Sequence, residues 1–207
     1  LGTDIDPSWK IGSCHGSDQT HHPDPLSGRR AVHHTSGMTP PLNLPKVISF
    51  DCYDTLVEFL ADDVTRELLC GRAEGIDVDR LLADFEALRF ETTTHGRYQP
   101  YRDVLRETLA EIFARYAIPY RDEDGDALVA AARSWGPFPD VPPALERLRA
   151  SGVCLAIITN SDDDIMAENA RRIGVPFDFV ITAEQAGAYK PSLQTFAYAL
   201  QTIGCQP

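Results

Sequence analysis

The chain has 207 residues, 43% hydrophobic and 24% charged, a balance that suits a soluble globular protein with one core and a sub-domain. Its formal net charge of -12 argues against binding nucleic acid or a membrane surface, because a field of that sign repels phosphate. An anionic substrate then needs a local positive charge that overrides the global field. No stretch approaches the ~18 apolar residues of a membrane helix, and no basic-then-apolar leader is seen. The five cysteines (14, 52, 70, 154, 205) are far apart and show no CxxC spacing. They read as free, buried thiols of a cytoplasmic protein.

In chain order, residues 1–37 come first. They hold five of the six histidines and many Gly, Ser and Pro residues, without hydrophobic periodicity. This segment is expected to be disordered or a non-native extension, with Met38 as the natural start. Cys14, His15, His21, His22, His33 and His34 lack the ligand spacing of a zinc motif and read as a solvated tail, not a metal site.

"KVISF", 46–50, reads as a short buried strand that ends in a carboxylate, Asp51. From about 60 to 135 the pattern is helical throughout. Val78, Leu81, Leu82, Phe85 and Leu88 recur at helical spacing after Asp77, a plausible N-cap. A second stripe follows Pro100 (Val104, Leu105, Leu109, Ile112, Phe113, Tyr116), and a third runs from Leu128 to Trp135. These stripes read as the core of a helical insertion.

The Pro-rich "SWGPFPDVPP", 134–143, marks the return to the first domain. A helix follows in "PPALERLRASGV", with Pro at its start and Gly at its stop. "CLAIITN", 154–160, is a second strand, 163–173 a helix, and "FDFVIT", 177–182, a third strand. Strand, helix, strand with short connections is the signature of a parallel α/β sheet. A last helix is expected over about 192–203.

Ligands of open parallel sheets bind beyond the carboxyl ends of the strands. Asp51 lies at one such end, Thr159 and Asn160 at another, and Lys190 follows the third strand. From Met38 onward the chain has 14 Arg but only two Lys, Lys46 and Lys190. Where Arg is the habit, a Lys marks a need for a compact point charge.

"FDCYDTL" at 50–56, "ITNS" at 158–161 and "YKP" at 189–191 resemble motifs I, II and III of the haloacid dehalogenase superfamily. The order, the spacing and the helical insertion resemble its 2-haloacid dehalogenase (type II) branch most. The resemblance implies an α/β fold with a Rossmann-like parallel sheet. Residues 38–59 and 136–207 would form the core and 60–135 a helical cap. It implies a hydrolase with Asp51 as carboxylate nucleophile, Thr55 orienting it, and Lys190 pairing with it. Thr159 would bind the substrate carboxylate and Asn160 would help hold the halide. Arg89, with Arg80 and Arg97 behind it, is the candidate for the cap arginine that grips the halide. No metal or other cofactor is implied. The expected partner is a small anionic substrate, with a homodimer as candidate assembly.

Tyr53 sits where phosphatase members carry a second Asp, which protonates the leaving alkoxide. A phenol with a pKa near ~10 is a weak acid for that task, whereas a halide departs without a proton. Tyr53 is therefore placed beside the substrate in a dehalogenase. The alternatives are a Mg²⁺-dependent phosphatase acting on a small phosphoester, and a non-catalytic binding module of the same fold.

Three positions depart from the pattern. Asp54 replaces a turn Gly, so it must accept that residue's dihedrals or alter them. Phe196 stands where dehalogenases tend to have Tyr. The fourth motif, with its Asp, is missing, since the chain stops about 17 residues after Lys190. The chain is thus expected to be a fragment lacking C-terminal strands, inactive alone.

Overall fold

The computed structural model describes residues 44–205, and the expectations about residues 1–37 and Met38 fall outside that range. From Lys46 onward the chain lies in one compact unit. Its sheet has three parallel strands in the order β1 (Val47–Phe50), β2 (Cys154–Thr159), β3 (Phe179–Thr182). Val47 pairs with Cys154 and Thr159 with Thr182, so the strands end on one side and deliver their following loops to one rim. The strands match the apolar runs read from the sequence. β2, the central strand, is buried along nearly its whole length because it packs on both faces. Among the described residues β1 pairs only with β2 and is half exposed.

Four helices separate β1 from the rest of the core: α1 (Ala61–Leu68), α2 (Val78–His95), α3 (Tyr101–Arg115) and α4 (Asp122–Ala132). No strand lies among them. Asp77 caps α2 as its sequence position suggests, accepting a hydrogen bond from Arg80 N. The apolar stripes become the buried centre of this bundle: Leu81, Phe85, Leu105, Leu109, Phe113 and Leu128 are all inaccessible.

α5 (Val141–Ala150) leads to β2, and α6 (Asp163–Ile173) joins β2 to β3. Gly174 ends α6 in the left-handed conformation at φ 74°, which glycine adopts at least cost. The short α7 (Ala183–Ala186) and then α8 (Leu193–Ile203) follow β3. Among the described residues no helix is long and apolar enough to cross a membrane.

Cys52, Cys70 and Cys205 carry free thiols, but only Cys52 of these is buried. Cys154 is not among the free thiols, so the expectation of uniformly free, buried cysteines is corrected at three positions. Apolar neighbours in sequence did not bury Cys70 and Cys205, which fall just past the ends of α1 and α8 and are exposed.

The helical segment holds one nearly buried ion pair. Arg72 grips both oxygens of Asp124, Nη1 on Oδ1 at 2.8 Å and Nη2 on Oδ2 at 3.0 Å, and the same Nη2 also donates to Pro119 O. Hydrogen bonds from Arg72 hold the Asp124 carboxyl below its ordinary value, against the opposing effect of burial. A lowered folded pKa stabilises above the unfolded value, about 3.9, and that contribution is lost as pH falls through the folded pKa. Asp124→Asn should therefore cost about 1–3 kcal/mol at neutral pH, because it takes the charged partner from a partly buried guanidinium. Thermal melts of variant and wild type should differ by a constant amount down to about pH 5 and converge below about pH 4. A gap that persists unchanged into acid would show that the charge of Asp124 is not what matters.

Candidate active site

The turn after β1 determines where the first carboxylate points. Cys52 O accepts the backbone N–H groups of Thr55, Leu56 and Val57, and Asp54 N returns to Val57 O. So tight a turn needs a left-handed residue, and Asp54 supplies it at φ 56°. Asp thus takes on the dihedrals expected of Gly, which Asp and Asn tolerate better than most residues. Asp54 lines the same cavity as Asp51.

Asp51 Oδ1 accepts two hydrogen bonds, from Cys52 N at 2.7 Å and from Lys190 Nζ at 2.7 Å. Oδ2 has no hydrogen-bond partner among the described residues, which leaves one oxygen of a fixed carboxylate open for attack. Cys52 is no rival nucleophile. Burial, and then the Asp51 charge beside it, push its thiol up to about 12.

Lys190 is held from several sides. Its ammonium also donates to Ile158 O at 2.7 Å, on β2. Its backbone is clamped by Asn160, whose Oδ1 accepts from Lys190 N at 2.6 Å and whose Nδ2 donates to Lys190 O at 3.1 Å. The structure therefore places Asn160 in the cavity wall with its amide committed to Lys190. Thr159 lines the cavity too, and its hydroxyl is fully buried with no hydrogen-bond partner among the described residues.

The cavity measures about 460 Å³. Its floor is Asp51, Asp54, Thr159, Asn160 and Lys190, and its far wall comes from α2 and the start of α3. Arg89 reaches it from α2, with its guanidinium 4.4 Å from the centre of the Phe59 ring. Arg89 also binds Glu86 and donates to Tyr101 Oη at 3.1 Å. Burial opposes the Arg89 charge, but Tyr101 and Glu86 outweigh it and hold the group protonated. Arg80 and Arg97 are exposed and do not line the cavity.

Two expected residues sit differently from their expected roles. Thr55 is exposed in the turn, and among the described residues no hydrogen bond joins its hydroxyl to Asp51. Tyr53 lends its ring to the cavity wall, but its hydroxyl lies inward, donating to Asn169 Oδ1 at 2.9 Å and meeting Ser161 Oγ at 3.1 Å. Asn169 in turn donates to Ala132 O and Trp135 O, so this network ties β1's turn to the end of α4. Burial pushes the Tyr53 phenol well above its ordinary value.

A family model described as a haloacid dehalogenase-like hydrolase matches residues 45–207. The chain belongs to that family. It is 25% identical over 161 residues to (S)-2-haloacid dehalogenase 4A of Burkholderia cepacia, covering 76% of this chain and 69% of that protein. It is 34% identical over 73 residues to a glyceraldehyde 3-phosphate phosphatase of Methanothermobacter thermautotrophicus, about a third of either chain. The crystal structure of the L-2-haloacid dehalogenase RSc1362 superposes with a TM-score of 0.69 at 21% identity, over 78% of this chain and 74% of that one, which shows a shared fold.

Sequence reading missed Ser161, Asn169, Phe59, Phe90 and Tyr101. The only signal was position: Phe59 follows the first motif, Ser161 closes the second, and Tyr101 opens a helix after Pro100. Tyr53→Phe should cost about 1–3 kcal/mol, because it leaves the buried Asn169 oxygen unsatisfied. Denaturant titration checks this, and no loss would mean that water replaces the phenol.

Proposed function

We propose that this hydrolase cleaves the carbon–halogen bond of a small 2-haloacid. Asp51 attacks C2 through Oδ2, the carbon–halogen bond breaks, and the halide leaves with the bonding pair. Water then adds to the carbonyl carbon of the Asp51 ester and releases the 2-hydroxy acid. The observation that carries this reading is Tyr53. The residue two positions after the nucleophile is a buried phenol with a raised pKa, already donating to Asn169. It is badly placed to give a proton to a leaving alkoxide, and a halide needs none.

The other residues support the same reading. Lys190 neutralises the rim around Asp51, so an anionic substrate meets a local positive charge in a chain of net charge -12. The unpartnered Thr159 hydroxyl is a ready donor to the substrate carboxylate. Asn160 acts through Lys190, and Arg89 offers its remaining N–H groups to the halide or the carboxylate. The reaction as written uses no cofactor and a single chain.

The match to a phosphatase favours one second reading, a Mg²⁺-dependent phosphoester hydrolase. The described residues bring two carboxylates, Asp51 and Asp54, to the cavity. They gather no group of three His, Cys, Asp or Glu side chains that could hold a metal. Mg²⁺ needs only one or two carboxylates besides water and substrate phosphate, so in this second reading Asp51 and Asp54 would hold it, and no step is routed through it.

The decisive measurement compares halide release from 2-chloropropionate with phosphate release from glyceraldehyde 3-phosphate, each with Mg²⁺ and with chelator. Halide release indifferent to chelator is expected. Lys190→Ala should lower turnover by about 10²-fold or more, since it removes the charge beside the developing ester. Single turnover in ¹⁸O water should leave the label on Asp51. Phosphate release that needs Mg²⁺, or label in the product alone, would overturn the proposal. Binding of 2-chloropropionate without any turnover would indicate a non-catalytic module.

A further inference from the structure

The first N–H groups of a helix have no acceptor within it. α3 begins at Tyr101 behind Pro100, whose side chain offers nothing, and no side chain at its N-cap accepts a hydrogen bond. The acceptor comes from elsewhere in the chain. Asp162, only 1% exposed, lies in the turn after β2, two residues past Asn160. Its Oδ1 takes Tyr101 N at 2.7 Å and its Oδ2 takes Arg102 N at 2.9 Å. Arg102 Nε adds a third bond to Oδ2 at 2.9 Å, and the same guanidinium reaches Asp164 at 3.0 Å. A carboxylate at a helix N-terminus is favourable, and one so deeply buried persists only with this much pairing.

A second bond lands beside the first. Tyr189, immediately before Lys190, donates its hydroxyl to Gln99 O at 2.6 Å, and its ring packs on Tyr98 at 5.3 Å. Residues 98–102 are thus gripped by the two loops that also carry Asn160 and Lys190, the first of them directly after Thr159. Tyr101 completes the path: its backbone is held by Asp162, and its hydroxyl accepts from Arg89 inside the cavity.

We propose that Asp162 and Tyr189 are positioning residues that latch 98–102 to the catalytic rim and so set Tyr101 and Arg89 opposite Asp51 and Lys190. Neither touches substrate. Asp162 acts through Tyr101 on Arg89, and Tyr189 fixes the approach of the chain to α3. The role of Arg89 toward substrate rests on the proposed dehalogenation, whereas the latch itself does not.

Two measurements separate these. In amide exchange on the full chain, Asp162→Ala should speed exchange at Tyr101 and Arg102 by about tenfold or more and leave Ile112 and Phe113, deep in α3, unchanged. Asp162→Asn, which keeps an acceptor oxygen, should fall between and serves if the alanine variant folds poorly. In kinetics with 2-chloropropionate, Asp162→Ala should lower kcat/KM about tenfold in the wild-type background and have little further effect when Arg89 is already Ala. Tyr189→Phe should shift kcat/KM in the same direction, less. Unchanged exchange at Tyr101 and Arg102 would overturn the latch. Additive losses from Asp162→Ala and Arg89→Ala would overturn the link to the cavity, because a merely stabilising residue acts independently of Arg89. If wild type releases no halide, the dehalogenase reading fails, and the exchange result alone decides the latch.

Discussion

The ion pair between Lys190 and Asp51, 2.7 Å long, is the contact that organises the rim of this sheet. Its ammonium lies between the carboxylate beyond β1 and the Ile158 carbonyl of β2, so two strand ends meet at one point charge carried by the loop after α7. A charge gathered from three segments has to be held at the backbone as well. Asn160 does this with both ends of its amide, closing a two-bond clamp on Lys190. The result is a carboxylate with one oxygen fixed and one open. That is the arrangement nucleophilic catalysis by Asp requires, because the fixed oxygen orients the other.

The helical segment is tied to this rim through polar contacts that are largely buried, not through apolar packing alone. Tyr53, Ser161 and Asn169 join the first turn to the end of α4, and Asp162 joins the second loop to the start of α3. Each such bond is worth little net, about 1 kcal/mol, but leaving a partner unsatisfied costs more. The segment therefore has one preferred placement over the cavity. It brings Arg89 and the ring of Tyr101 to the cavity, beside Phe59 from the chain just before α1, and the family's hydrolytic chemistry is enclosed by this chain's own choice of wall.

Much of this was legible in the sequence. Alternation between apolar strand runs and helical stripes gave the parallel α/β core and the all-helical segment, since side-chain period and strand length are local properties. Asp51, Thr159, Asn160 and Lys190 were legible because a parallel sheet places its strand ends together whatever the packing details. Asp54 was legible as the replacement of a turn Gly, but only the structure, at φ 56°, shows that it accepts that residue's dihedrals instead of altering them. Arg89 was the first of three candidate arginines, ahead of Arg80 and Arg97, and the structure puts it alone of the three in the cavity lining.

The sequence by itself determined the elements, their order and the residues at the strand ends, because these follow from local spacing and topology. It did not determine where the long side chains point. The tertiary structure turned the Tyr53 hydroxyl inward to Asn169, committed the Asn160 amide to Lys190, and left Thr55 at the surface. It also brought Asp162 to a helix 60 residues away that has no cap of its own. Such pairings join groups far apart in the chain. Only the packing of one segment on another fixes them, and no local pattern encodes that geometry.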